Sequence, residues 1–136
     1  MATLRLEIVT PDSKTYSDDV DSVVLPGIEG ELGIFPMHVP LMTQIAPGEL
    51  RVMKAGHEDR LAVGEGFVEI TQNSVSVLTD MAVLESEIDE SATEDAIKRA
   101  EAAMKDEKLT GEDQALVEAA LQKSLAKLRV KRRRHH

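Results

Sequence analysis

Few residues in this chain could carry chemistry, and their spacing says more about contact than about catalysis. His38 stands between Pro36 and Pro40, Asp18, Asp19 and Asp21 sit close together, and seven cations close the sequence: Lys123, Lys127, Arg129, Lys131, Arg132, Arg133 and Arg134. A hydrolase built on His38 would need a nearby Asp and Ser in a triad arrangement, and the sequence offers none. A histidine bracketed by prolines reads as a packing or partner residue. The three aspartates lack the glycine and the spacing of a calcium loop, so they read as solvated charges on a strand edge. His38 and His57 have no companion at ligand spacing, and His135 and His136 at the end of the sequence would chelate weakly; no metal is assigned. No phosphate-cradling G-x-x-x-x-G-K-[ST] loop occurs, so the chain does not hydrolyse ATP through one.

Charge is the second signal. The net charge is -9, yet every acidic residue lies at or before Glu118 and the seven cations follow it. Such separation builds a positive arm on an acidic body, and its field attracts an acidic partner. Nucleic acid is the alternative occupant of that arm. The acidic body opposes this reading, and two Phe and one Tyr offer no stacking platform. The chain has no cysteine, which fits a reducing compartment. No stretch approaches the roughly 18 apolar residues of a membrane span.

Two periods divide the elements that must position these groups. All five prolines and seven of the eight glycines precede residue 70, and apolar residues alternate there. Leu4, Leu6 and Ile8 open the pattern, and strands are expected over 20–25, 50–53, 60–63, 67–71 and 75–78. Turns are expected at Pro11-Asp12-Ser13, Ala55-Gly56-His57 and Gln72-Asn73-Ser74. A β-sandwich buries such alternate aliphatics. After Asp89, an Ala/Glu/Lys-rich segment predicts one helix to Lys108 and, past Leu109-Thr110-Gly111, a second from Glu112 to about Arg133. Asp89 is the expected N-cap. Ala92, Ala96, Ala100, Ala103 and Met104 are expected to face Leu116 or Val117, Ala120, Leu121, Ser124, Leu125 and Leu128. The fold class is therefore α+β: an N-terminal β-sandwich of about ten antiparallel strands over 1–86, then an antiparallel two-helix hairpin over 87–136. Two Ala-rich helices bury little apolar area, so the hairpin is expected to be able to open.

The densest pattern is Pro26-Gly27-x-x-Gly30-x-x-Gly33-Ile34-x-Pro36-x-His38-x-Pro40-Leu41, which reads on its own as a pair of tight turns. It continues in Gly64-Glu65-Gly66-Phe67-Val68-Glu69 and Glu87-Ile88-Asp89. The string resembles the epsilon subunit of F-type ATP synthases along essentially the whole chain. That resemblance implies a ten-stranded sandwich that grips the gamma subunit and rests on the c-ring, with Gly30, Glu31, Gly33, Pro36, His38 and Pro40 in the region facing them. It also implies a hairpin able to extend into the catalytic head and impede ATP hydrolysis. Lys123, Lys127, Arg129, Lys131 and Arg134 would then meet an acidic segment of the beta subunits, alongside alpha. The implied location is peripheral, on the cytoplasmic face of a bacterial inner membrane or on a thylakoid membrane. Contact with the membrane would come only through the complex, with no nucleic acid involved and no catalysis by the subunit itself.

Some members of the family bind ATP on the folded hairpin through Ile/Leu-Asp-x-x-Arg-Ala. Here Ile88 and Asp89 match, Ala92 replaces the arginine and Thr93 the alanine. Losing the guanidinium removes a phosphate fork, and Arg99 and Lys127 replace it only in part. Nucleotide binding through Ile88, Asp89 and Arg99 is expected to be weak or absent, and no other cofactor is implied.

Overall fold

The computed structural model describes residues 2–12, 14–106 and 108–133. Ten strands follow one another: β1 (Leu4–Val9), β2 (Lys14–Val20), β3 (Ser22–Gly27), β4 (Gly30–Ile34), β5 (Leu41–Ile45), β6 (Gly48–Lys54), β7 (His57–Val63), β8 (Gly66–Ile70), β9 (Ser74–Thr79) and β10 (Ala82–Leu84). A 3-10 turn at Glu85–Glu87 leads into helices α1 (Glu90–Met104) and α2 (Gly111–Arg133). Neighbouring strands run in the order β10-β7-β6-β3-β5-β8-β9-β1-β2, with β4 paired to β3, and the sheet folds over itself as a sandwich. The expected strand count and hairpin are both present. One pairing departs from the antiparallel rule, since β1 runs parallel to β9.

The alternation that marks the strands also builds the core. Leu4, Leu6 and Ile8 point inward, as do Val23 and Leu25 on β3 and Val75 and Val77 on β9, and all seven are fully buried. Sixteen aliphatic residues form this cluster, with Tyr16 packed at its margin. Burying each such side chain contributes roughly 1.5–3 kcal/mol, which sets the sandwich apart energetically from the arm.

Local chemistry sets the turns. Ala55 (φ 52°) and Gly56 (φ 78°) both adopt left-handed backbone, the conformation that a two-residue hairpin between β6 and β7 requires. Asp21 supports that turn, since its Oδ2 accepts from the Ala55 amide at 2.8 Å. This contact also divides the strand expected over 20–25 into the end of β2 and the start of β3. The other two aspartates are engaged as well, Asp18 with Lys54 and Asp19 with Arg5 at 3.5 Å. At the β8–β9 turn, Thr71 Oγ1 accepts from the Ser74 amide at 3.0 Å.

In α1, Asp89 is the N-cap as expected: its Oδ1 accepts from the Ala92 amide at 3.0 Å. The helix ends at Met104, short of Lys108, because the chain tightens there. Lys105 and Asp106 donate to carbonyls three residues back, and Asp106 Oδ1 then accepts from the Lys108 amide at 2.9 Å. Thr110 Oγ1 accepts from the Asp113 amide at 3.1 Å and caps α2. The buried residues of α1 are Thr93 and Ile97, with Ala96, Ala100, Ala103 and Met104 half-buried beside them, whereas Ala92 is exposed. On α2, Leu121, Ser124, Leu125 and Leu128 are half-buried as expected, but the deepest residues are Ala126 and Val130. α2 has two packed faces, one on α1 and one on β6 and β7. A single-stripe reading finds only the first. No helix among the described residues is long and apolar enough to cross a membrane.

Candidate functional site: an apolar rim and a strapped cationic arm

The Gly/Pro string holds the two expected turns, one at Ile28–Glu29 that closes a strand hairpin and one at Pro36–Met37 in the loop that follows. Gly27 pairs with Gly30 across the two-residue tip Ile28–Glu29, and Leu25 pairs with Leu32. Gly30 has φ 126°, backbone that L side chains rarely adopt, so the tip needs its glycine. Gly33 differs: a Cβ there would meet nothing nearer than Phe35 Cε2 at 4.0 Å, so the chain's own fold leaves the position open. Glu31 Oε2 receives Arg51 Nη1 at 3.0 Å, and the same nitrogen reaches Glu49 Oε1 at 2.9 Å. The hydrogen bond to Glu49, with Glu31 adding to it, holds the Arg51 guanidinium above its usual range.

Between β4 and β5 the loop carries Phe35, Met37 and Val39 outward, at 64%, 72% and 75% exposure. Pro36 and His38 are half-buried, and Pro40 is exposed. Two bonds pin the loop: the Met37 amide donates to the Gln72 carbonyl at 2.7 Å, and His38 Nδ1 donates to the Val39 carbonyl at 2.6 Å. Met42, Phe67 and Leu78 extend the apolar surface. Phe67 pairs directly with Leu78, and Met42 sits two residues from Phe67's partner Gln44, on the same face. Ile28 and Phe67 line an open recess of about 480 Å³. The sequence string locates the loop but not this extension, because Met42 and Leu78 stand in ordinary strand alternation.

The cations of α2 fall into two sets. Lys123 Nζ lies 2.9 Å from Asp80 Oδ2, and Lys131 Nζ donates to the Glu85 carbonyl oxygen at 3.2 Å. Arg132 spans to α1, with Nη2 at 2.7 Å from Glu94 Oε1 and Nε at 3.4 Å from Glu90 Oε1. Among the described residues no ion pair joins Lys127, which is half-buried, or Arg129, which is exposed. Arg134, His135 and His136 lie outside the described residues. The hairpin is docked on the sandwich, and a small cluster of Ala62, Ile88 and Val130 seals the joint. Asp80 and Glu85 are the site residues that sequence reasoning missed, since a cation's spacing does not name its carboxylate.

Ile88 and Asp89 come together with Thr93, Ala96, Ser124 and Lys127 around a recess of about 240 Å³. Arg99 is exposed on α1 and does not line it. His57 lies elsewhere, 3.2 Å from Asp59 at the exposed start of β7.

These features define a β-sandwich protein with an apolar rim at one region and a docked helical arm at another. A family model for the ATP synthase delta/epsilon chain, beta-sandwich domain, matches residues 3–85. The ATP synthase epsilon chain of Dehalococcoides mccartyi strain BAV1 is 44% identical over 137 residues, covering 99% of this chain and 98% of that protein. That of Herpetosiphon aurantiacus is 41% identical, covering 98% and 97%. A chain in the solved mitochondrial ATP synthase of Euglena gracilis, an assembly of OSCP, F1 and c-ring, superposes with a TM-score of 0.74 at 26% identity, covering 90% of this chain and 77% of its own length. The chain belongs to the ATP synthase delta/epsilon chain family and, within it, to the epsilon chains of the F-type enzyme. The nucleic-acid alternative finds no support: the relatives at 41–44% identity are ATP synthase epsilon chains, and Lys123, Lys131 and Arg132 already face the chain's own carboxylates.

Proposed function

We propose that this chain is a non-catalytic coupling subunit of the central stalk, joining the gamma subunit to the c-ring through its sandwich and restraining ATP hydrolysis through α2. The exposed apolar rim carries this reading. Phe35, Met37, Val39, Met42, Phe67 and Leu78 stand 52–75% exposed on one domain, and a patch of that kind marks an interface. The hairpin tip at Gly30 and the pinned loop at His38 give the rim a stiff backbone suited to transmitting torque. Gly33, Glu31, Pro36 and Pro40 flank it as the proposed gamma- and ring-facing residues. The Euglena assembly, which contains F1 and a c-ring, supports partners within an ATP synthase.

In this reading 1–86 and 87–136 act as separable units, the first for assembly and the second for regulation. Lys123, Lys127, Arg129, Lys131 and Arg134 are the proposed contacts with an acidic segment of the beta subunits, alongside alpha. The protein would sit peripherally on the cytoplasmic face of a bacterial inner membrane, or on a thylakoid membrane, held there by the complex. Nucleotide binding is proposed to be weak: Ala92 stands where the family motif has arginine, and Asp89 is occupied as an N-cap. Titration calorimetry showing micromolar ATP affinity would overturn that part.

Copurification with the gamma subunit tests the assembly role. Phe67→Glu and Met37→Glu, on an exposed face, should each lower recovery of gamma at least about tenfold, the scale of one lost interface anchor. Unchanged recovery with both variants would contradict the assignment.

A further inference from the structure

We propose that Asp80, Glu85, Glu90 and Glu94 form an ionic strap that keeps α2 docked by occupying the very cations the arm would present to an acidic partner. The partner half of this proposal rests on the regulatory reading of α2 above. The strap itself rests on geometry.

Three cations tie α2 to three separate segments. Lys123 meets Asp80 in the turn between β9 and β10, Lys131 meets Glu85 in the 3-10 turn, and Arg132 meets Glu90 and Glu94 on α1. Asp80 is placed for this contact by Gly64, where a Cβ would lie 2.0 Å from Asp80 Oδ1. Any side chain there would displace the carboxylate from Lys123.

Lys123 and Lys131 are eight residues apart, just over two helical turns, so both reach the sandwich from one side of α2. Among the described residues the apolar seal beneath them has Ala62, Ile88 and Val130 as buried members, against sixteen in the sandwich core. With so small a seal, a few ion pairs shift the docking equilibrium noticeably.

Two consequences follow from the layout. Lifting the hairpin off as a unit breaks the Lys123 and Lys131 contacts but spares those of Arg132, whereas splaying α2 from α1 breaks the Arg132 contacts. An acidic partner and the strap also compete for one set of positive charges, so capture by either opposes the other. Arg129, exposed and without an ion pair among the described residues, is the cation able to make the first outside contact while the arm is down.

The test uses the full-length chain with Asp80→Asn, Glu85→Gln and the two combined, which leave every cation intact. Hydrogen exchange of amides in 117–131 reports opening directly. At low salt each single change should speed that exchange about two- to fivefold, as expected for exposed or half-exposed ion pairs, and the double change more, with core strand amides unaltered. About 0.5 M salt should bring the unmodified chain toward the variants. The swap Asp80→Lys with Lys123→Asp should restore slow exchange, separating charge pairing from a packing defect. Exchange in the double variant equal to that of the unmodified chain at low salt would overturn the strap. In the assembled complex the double variant should inhibit ATP hydrolysis more strongly. Faster exchange with unchanged inhibition would keep the strap and overturn the competition with an acidic partner.

Discussion

Arg51 and Glu31 are joined at 3.0 Å across β3, and through the same guanidinium Glu31 is tied to Glu49, which is only 6% exposed. The residue expected to face the rotor is thus anchored in the body of the sandwich. Arg51 and Glu31 differ in what their loss should do. Arg51→Met removes a partner of a buried carboxylate and should destabilise the chain by about 3 kcal/mol, the lower end for breaking a buried pair. Glu31→Gln removes an exposed partner and should cost less than about 1 kcal/mol. Urea unfolding of both variants checks the difference, and it makes Glu31→Gln the cleaner probe of partner contact.

Gly30 and Gly33 separate folding from assembly. Valine at Gly30 must adopt φ 126°, so Gly30→Val should destabilise the sandwich by roughly 1–3 kcal/mol. Valine at Gly33 meets open space on a strand, so Gly33→Val should leave stability within about 0.5 kcal/mol of the parent. Weaker recovery of gamma or c-ring by Gly33→Val would then report close approach of a partner's backbone. Thermal melts and copurification of the same samples read both effects.

The Asp18–Lys54 pair sets a pH window. The hydrogen bond from Lys54, reinforced by the Asp19 amide, holds the Asp18 carboxyl below its ordinary 3.8, and Asp18 in turn holds Lys54 above 10.5. Asp18 therefore contributes stability above its unfolded value, and the contribution is lost as pH falls through the lower folded value. Lys54 contributes below its unfolded value, and the contribution is lost as pH rises through the higher folded one. The drop in melting temperature caused by Lys54→Ala should be constant from about pH 5 to about pH 9 and vanish near pH 2. A decrement persisting at that acidity would mean the lysine acts by packing.

Val130 is the apolar counterpart of the strap. Val130→Ala removes two buried carbons at about 0.8 kcal/mol each, so docking of α2 should weaken by roughly 1.5 kcal/mol. Hydrogen exchange should show this in α2 while β1, β6 and β9 keep their protection. Loss of protection in those strands would mean that sandwich and arm fold as one unit.

Strand alternation in β1, β8 and β9 was legible because each buries one face, as Leu4, Leu6 and Ile8 show, whereas β7 buries Leu61, Ala62 and Val63 in succession because α2 covers its other face. Strand β4 was hidden, since Gly30 and Gly33 read as turn formers although the chain needs only the first for its backbone. β10 was hidden too, with three half-buried residues and no alternation. In α2, small and long apolar residues divide between two neighbours, so a single stripe misses Ala126 and Val130. The cationic run was plain in the sequence. Its carboxylate partners were not, because Asp80 and Lys123 lie 43 positions apart and meet only through the docking of α2.

Regulation by a releasable cationic arm on a self-sufficient sandwich is the central claim. The most direct measurement compares ATP hydrolysis by the assembled catalytic head carrying either the full chain or a version stopped after Ser86. Equal incorporation of both forms with faster hydrolysis for the shortened one is the predicted result. Equal incorporation with identical hydrolysis rates would contradict it.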